Sequence, residues 1–182
     1  MPTLPVLTTE RLTLRPFTIG DAADVQRLAG VREVADTTMH IPHPYPDGLA
    51  KQWIETHAPA WEARTGATYA VVESASNGLV GAAGLTLAME HERAEVGYWI
   101  GVSFWNRGYA TEVTRVLIAF AFDALGLHRV QARHLSRNPA SGRVMQKAGM
   151  RLEGTHREQM KRWGRFEDIV MYGILASDRA AP

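Results

Sequence analysis

Residues 95–135 read as strand, turn, helix and strand, and this order restricts the possible folds more than any other stretch. Residues 95–102 alternate, with Val96, Tyr98 and Ile100 on one face and Glu95, Gly97 and Trp99 on the other. From Gly108 onward the apolar positions are Tyr109, Val113, Val116, Leu117, Phe120, Ala121 and Ala124. Steps of three and four predict an amphipathic helix, with Gly126 as its expected C′ residue. Residues 129–135 are strand-like again. Two strands joined through a helix pair in parallel with a right-handed crossover, and a parallel pair needs cover on both faces.

The flanking segments extend this unit into a mixed sheet. Residues 11–17 form a short strand, edge-like because of Pro16. A helix follows from Thr18-Ile19-Gly20-Asp21, with Ala22, Val25, Leu28 and Ala29 on one side and Gly30 as its stop. Residues 31–46 read as irregular, with Pro42, Pro44 and Pro46 interleaved with His40, His43 and Tyr45. Such a stiffened loop is either a lid or wall of a binding site or a plain connector. Asp47 is the expected cap of a second helix reaching residue 64, kinked or split at Pro59. Residues 67–73 and 79–89 form a hairpin around Asn77-Gly78. Asn138-Pro139 starts a helix that Gly149 ends, and residues 150–160 and 166–175 are strands joined around Gly164. The expected fold class is α/β in the mixed sense: one central sheet of six to seven strands with helices on both faces. Residues 1–182 form a single domain in this reading.

Composition removes several function classes. Twenty basic and 19 acidic residues leave a formal net charge of +1, so there is no electrostatic case for nucleic acid or an anionic membrane. The chain has no cysteine, which excludes disulfides, thiolate metal sites and a cysteine nucleophile. His40 and His43 stand among prolines with no evident third ligand, and His128 and His134 lie at opposite ends of one short strand, so no metal is expected. Residues 1–10 do not read as a signal peptide, and the longest apolar run, residues 116–122, is too short to span a bilayer. A cytoplasmic location is the expectation.

The turn Trp105-Asn106-Arg107-Gly108-Tyr109-Ala110-Thr111-Glu112 carries the chemistry. It lacks the Gly-Lys-Ser/Thr ending of a P-loop and the three glycines of a dinucleotide fingerprint. What it offers is backbone N–H groups from Arg107 to Thr111 at the positive end of a helix, an arrangement suited to a diphosphate. Gly108 permits close backbone approach, Ala110 is small, and Arg107 can add a charged contact. A ligand-free strand-to-helix turn has the same local signature.

Residues 98–102, Tyr-Trp-Ile-Gly-Val, together with this turn, resemble the acetyl-CoA signature of the GCN5-related N-acetyltransferases (GNAT). Thr9-Glu10-Arg11-Leu12-Thr13-Leu14-Arg15, Asn138-Pro139-Ala140-Ser141 through Lys147-Ala148-Gly149-Met150, and Met171-Tyr172-Gly173-Ile174-Leu175 are similar to the ribosomal-protein N-terminal acetyltransferase branch of RimJ/RimL type. The resemblance runs over residues 8–175. Where the wider family has Gln or Arg three places before the first glycine of the turn, this chain has Trp105, so pyrophosphate binding rests more on main-chain donors. The resemblance implies acetyl-CoA as donor, direct transfer to a primary amine in a ternary complex, and a sheet that splays after the strand ending at Val102. Pantetheine would lie in that gap against Ile100, Gly101 and Val102. The acceptor would be a protein N-terminus or a small-molecule amine. Dimerisation is common in the family this chain resembles, and the resemblance implies a homodimer.

Glu95 is the candidate general base, acting directly or through water; the alternative is a surface pair with Arg93. An α-amino group, with a pKa near ~8 against about 10.4 for lysine, needs little help. Ser141 is the candidate acid and a cofactor contact, or a first-turn serine bonded to backbone. Asn138 is an N-cap that the resemblance also places at pantetheine. Trp99 and, on the proline loop, Tyr45 are the acceptor-site candidates. The basic run Lys161-Arg162 with Arg165 reads as a solvated hairpin tip or as a contact for an acidic protein substrate. A non-catalytic acyl-CoA-binding module on the same fold is the competing reading.

Overall fold

Leu12 and Leu14 are fully buried while Thr13 between them and Arg15 after them are half-buried, the alternation of a strand with one covered face. In the computed structural model, which describes residues 3–179, they lie on β2 (Leu12–Pro16), after the two-residue β1 (Leu7–Thr8). The chain continues through α1 (Ala22–Ala29), α2 (Arg32–Thr37), α3 (Leu49–Glu55), α4 (His57–Glu62), β3 (Gly66–Glu73), β4 (Leu79–Ala88) and β5 (Arg93–Ile100). It ends with α5 (Tyr109–Asp123), β6 (Arg129–Leu135), α6 (Pro139–Lys147), β7 (Arg151–Arg162) and β8 (Arg165–Leu175). The strands form one mixed sheet in the order β1-β2-β3-β4-β5-β6-β8-β7. All neighbours are antiparallel except β5 and β6, which are parallel, as the connecting helix requires.

Both faces of the sheet are covered, and β3 shows how. Ala67, Tyr69 and Val71 join a core with α5 and α6, through Val113, Leu117, Phe120 and Met145. Ala70 and Val72 point the other way and pack with Val25, Leu28, Val34, Ala50 and Ile54 of α1, α2 and α3. A strand buried on both faces therefore loses its polar alternation.

Several expectations change. The sheet has eight strands, not six to seven, because β1 pairs with β2 (Leu7 opposite Leu14) and covers the edge expected at residues 11–17. Residues 31–46 contain a helix, α2, whose Val34 and Ala35 are buried; its six residues are too short for a periodic signal. Gly48, in the left-handed region, starts α3; the Asp47 side chain instead accepts from Gln26. The break in this helical run falls at Thr56, and Pro59 sits in the first turn of α4, where a missing N–H is tolerated. The strand expected to reach Val102 stops at Ile100, and residues 102–104 form a 3-10 turn with Val102 exposed. The last turn of α5 is capped at Ala124, two residues before Gly126.

Candidate active site

The site begins where the parallel pair fails. β5 and β6 are paired only at Arg93 with Arg129, Ala94 with Val130 and Glu95 with Gln131. Beyond these, β5 runs on to Ile100 beside β4, and β6 to Leu135 beside β8. The two strands thus part inside the sheet. Gly101 N–H binds the Val80 carbonyl across the β4 side. By alternation, the backbone groups of Tyr98 and Ile100 point away from β4, toward the gap.

Two cavities meet at this gap. One, of about 340 Å³, is lined by the turn (Trp105, Asn106, Gly108, Tyr109, Ala110, Thr111) and by α6 (Asn138, Ser141, Arg143, Lys147). The other, of about 470 Å³, lies under the proline loop and is lined by Tyr45, Trp53, Glu95, Gly97, Arg133 and His134 among others. Thr37, Thr38, Tyr98, Trp99 and Ser141 line both.

The smaller cavity has the character of an anion site. Asn106 and Gly108 take positive φ, 61° and 82°, and turn the chain sharply into α5. The first helical bond runs from Glu112 N–H to the Gly108 carbonyl, and no side chain caps the helix. The N–H groups of Tyr109, Ala110 and Thr111 therefore have no protein acceptor among the described residues. Arg143 and Lys147 line the same cavity, and no carboxylate stands among its described lining residues. The acidic residue of the first turn is neutralised from behind. Glu112 accepts Arg11 Nη2 at 2.6 Å and Nε at 2.9 Å, and Arg11 Nη1 reaches the Arg107 carbonyl at 2.9 Å. Burial works against the Glu112 carboxylate, but the bonds from Thr9 and Arg11 outweigh it and hold it below the ordinary glutamate value. This cavity therefore fits a diphosphate.

Other members of the sequence-derived set stand differently. The Arg107 side chain lies over Phe104 and 3.8 Å from Glu73, so it braces the turn from outside. Tyr109 is buried, with its hydroxyl donating to Glu73. Gly101 and Val102 do not line either cavity; a side chain at Gly101 would stand 2.8 Å from Leu28. The Ile100 carbonyl is taken by Trp105 Nε1 at 2.6 Å, which gives the tryptophan in the turn a structural role.

Glu95 sits on the last paired residue of β5. Its carboxylate forms an ion pair with Arg133 Nε at 2.7 Å and accepts a hydrogen bond from Gln131 Nε2 at 3.0 Å, and Arg93 is not its partner. Tyr98 Oη and Ser141 Oγ are 2.7 Å apart. Burial pushes the Tyr98 hydroxyl up to about 12, so it keeps its proton at neutral pH. Asn138 accepts from Ser141 N–H and donates through Nδ2 to the Thr37 carbonyl, tying α6 to the end of α2. Trp99 and Tyr45 both line the larger cavity, and Trp99 is buried.

The sequence reading does not single out Gln131, Arg133, Arg143 or Lys147. Tyr98 enters there as a strand residue and as part of the acetyl-CoA-like stretch, with no role of its own, and His134 only as a rejected metal ligand. The parallel register of β5 and β6 would have found Gln131 and Arg133, since they share strand parity with each other and Gln131 lies opposite Glu95. Arg143 and Lys147 are four apart on α6, a spacing that puts both on one side of the helix. His134 is buried; its Nδ1 lies 2.8 Å from the Leu135 carbonyl and so carries the proton, while Nε2 has no partner.

The proline loop forms a wall of the larger cavity through Thr37, Met39, Ile41, Pro42 and Tyr45. It is held by Arg162, which is not a solvated hairpin residue but is buried. Its guanidinium donates to the carbonyls of Met39 (2.5 Å), Ala35 (2.6 Å) and Ile41 (2.8 Å).

Residues 11–151 match the family model described as Acetyltransferase (GNAT) domain. Over 181 residues the chain is 31% identical to an uncharacterized N-acetyltransferase, YoaA, of Bacillus subtilis (strain 168), covering 94% of this chain and 97% of YoaA. Among solved structures, an acetyltransferase of the GNAT family from Bacillus anthracis is similar with a TM-score of 0.84 at 24% identity, covering 94% of this chain and 98% of that one. RimL, a ribosomal L7/L12 alpha-N-protein acetyltransferase solved with coenzyme A, is similar with a TM-score of 0.87 at 15% identity, covering 96% and 100%.

Proposed function

This chain belongs to the GNAT family of acetyltransferases and uses acetyl-CoA, and we propose that it transfers acetyl directly to a primary amine held in the larger cavity. The observation that carries this reading is the parting of β5 and β6 at Glu95, where the two cavities share Tyr98, Trp99 and Ser141. Acetyl-CoA supplies an activated acetyl thioester. Its diphosphate is held by the N–H groups of Tyr109, Ala110 and Thr111, with charge from Arg143 and Lys147. Its pantetheine lies in the gap against the inward-facing main chain of Tyr98 and Ile100, beside Asn138.

Glu95 receives the proton that the amine loses, directly or through one water, while Arg133 and Gln131 fix its carboxylate. The CoA thiolate departs at the other end of the site, where Ser141 presents its hydroxyl to the sulfur and is itself held by Tyr98 across 2.7 Å. The thiolate takes up one proton from solvent through this hydroxyl pair, and Glu95 releases the amine's proton to solvent as the products leave, so uptake and release balance. No acyl-enzyme is needed, which suits a chain lacking cysteine. The L7/L12 activity of the RimL neighbour keeps a protein N-terminus within the acceptor class alongside small amines.

Steady-state rates measured with acetyl-CoA and acceptor both varied test this. Direct transfer predicts intersecting double-reciprocal lines and no acetylated protein by mass spectrometry. Parallel lines with an acetyl adduct on the chain would contradict it.

A further inference from the structure

The larger cavity has a chemistry that selects among amines. Among its described lining residues the only carboxylate is Glu95, and that carboxylate is already shared between Arg133 and Gln131. A second positive charge on the acceptor would find no counter-ion on the walls, which are apolar and aromatic: Trp53, Trp99, Tyr45, Met39 and Ile41. An ammonium against such a wall gains a cation–π contact, which does not repay the larger loss of hydration when no carboxylate is left to pair with it.

The floor shows what the cavity is shaped to admit. Gly84 and Gly97 lie opposite each other on β4 and β5. The two glycines differ in kind. A Cβ on Gly84 would stand 2.6 Å from the Ala67 carbonyl, so that position is closed by the backbone of β3. A Cβ on Gly97 would meet nothing within 4 Å. Gly97 shares a strand face with Glu95 and Trp99, so the space above it is contiguous with the proposed reaction centre.

We infer that the preferred acceptor carries a single positive charge on an apolar, aromatic-sized body lying across Gly97, and that Gly97 sets how large that body can be. This rests on the assignment of the larger cavity to the acceptor. The chemistry is shared by free arylalkylamines and by peptides with a large apolar first residue. Polyamines and aminoglycosides fall outside it.

The test is CoA release by the full chain with phenethylamine, a peptide with N-terminal Phe, ethylamine, spermidine and an aminoglycoside. Phenethylamine or the Phe peptide is expected to exceed spermidine and the aminoglycoside at least tenfold in kcat/KM, because such pockets discriminate about tenfold or more per buried methylene. Which of the two apolar acceptors leads identifies the source. Gly97→Val and Gly97→Leu are expected to lower kcat/KM for the bulky apolar acceptors at least tenfold. The fall for ethylamine should be smaller, with the acetyl-CoA Kd from calorimetry unchanged. A polycation at or above the apolar amines would overturn the inference, as would equal losses for all acceptors in the Gly97 variants. Tight acetyl-CoA binding with no turnover on any amine would instead overturn the acceptor assignment beneath it.

Discussion

His57 lies at 5.2 Å from the Phe17 ring and 4.4 Å from the Trp53 ring, and neither of its ring nitrogens has a hydrogen-bond partner. Burial lowers its pKa from 6.5 to about 4. Because the folded value is depressed, its stability contribution is intact above pH 6.5 and is lost as pH falls toward 4, where the unfolded chain binds the proton first. Between pH 7 and pH 5 the loss is expected to be at most about 2 kcal/mol. Urea denaturation at the two pH values checks this, and His57→Phe, which keeps a ring against Trp53, should flatten the difference. An unchanged pH dependence in that variant would show that other groups carry it. At this scale the sequence is uneven. Glu95, Ser141 and Asn138 can be picked out by type and motif position. Their partners Arg133, Tyr98 and Thr37 cannot, since each pair is made only by strand register or by a contact such as that of Asn138 with Thr37, 101 residues apart.

Arg162 joins the β7–β8 hairpin to the wall of the larger cavity. Its three carbonyl partners, on residues 35, 39 and 41, bracket the wall residues Thr37 and Met39. Removing the guanidinium takes the donor from the part-buried carbonyls of Met39 and Ile41, at a cost of up to about 1–3 kcal/mol each, while the Ala35 carbonyl keeps Thr38. Arg162→Met is expected to raise the acceptor KM on the order of tenfold while leaving acetyl-CoA affinity intact, with partial recovery in Arg162→Lys. Calorimetry for acetyl-CoA beside acceptor kinetics separates the two; equal weakening of both would mark general destabilisation instead. The elements themselves were legible wherever period and punctuation agreed. α5, β6 and α6 lie where steps of three and four, a strand-like run and Asn138-Pro139 put them. α2 was not legible, because its two buried residues, Val34 and Ala35, show no repeat. Nor was Arg162, since a basic residue beside Gly164 looks solvated until its long-range carbonyls are known.

At the scale of the molecule, one helix between two parallel strands sets the arrangement. The crossover from β5 through α5 to β6 puts the uncapped start of α5 beside the place where the strands part. One end of the gap thus meets the uncapped helix start, which suits an anion, and the other opens into the larger cavity, which we propose holds the acceptor. The mixed sheet was readable from element order; the extent of the parting was not, because it depends on how far β6 follows β8 and not on any local signal. No helix among the described residues is long and apolar enough to cross a membrane. The central claim is that acetyl-CoA lies along the smaller cavity with its thioester in the gap. A crystal structure with bound CoA tests it most directly. The diphosphate is predicted on the N–H groups of Tyr109, Ala110 and Thr111, with the thiol between β5 and β6 within hydrogen-bond reach of Ser141 Oγ. A diphosphate bound away from this turn, or a thiol outside the gap, would contradict the account.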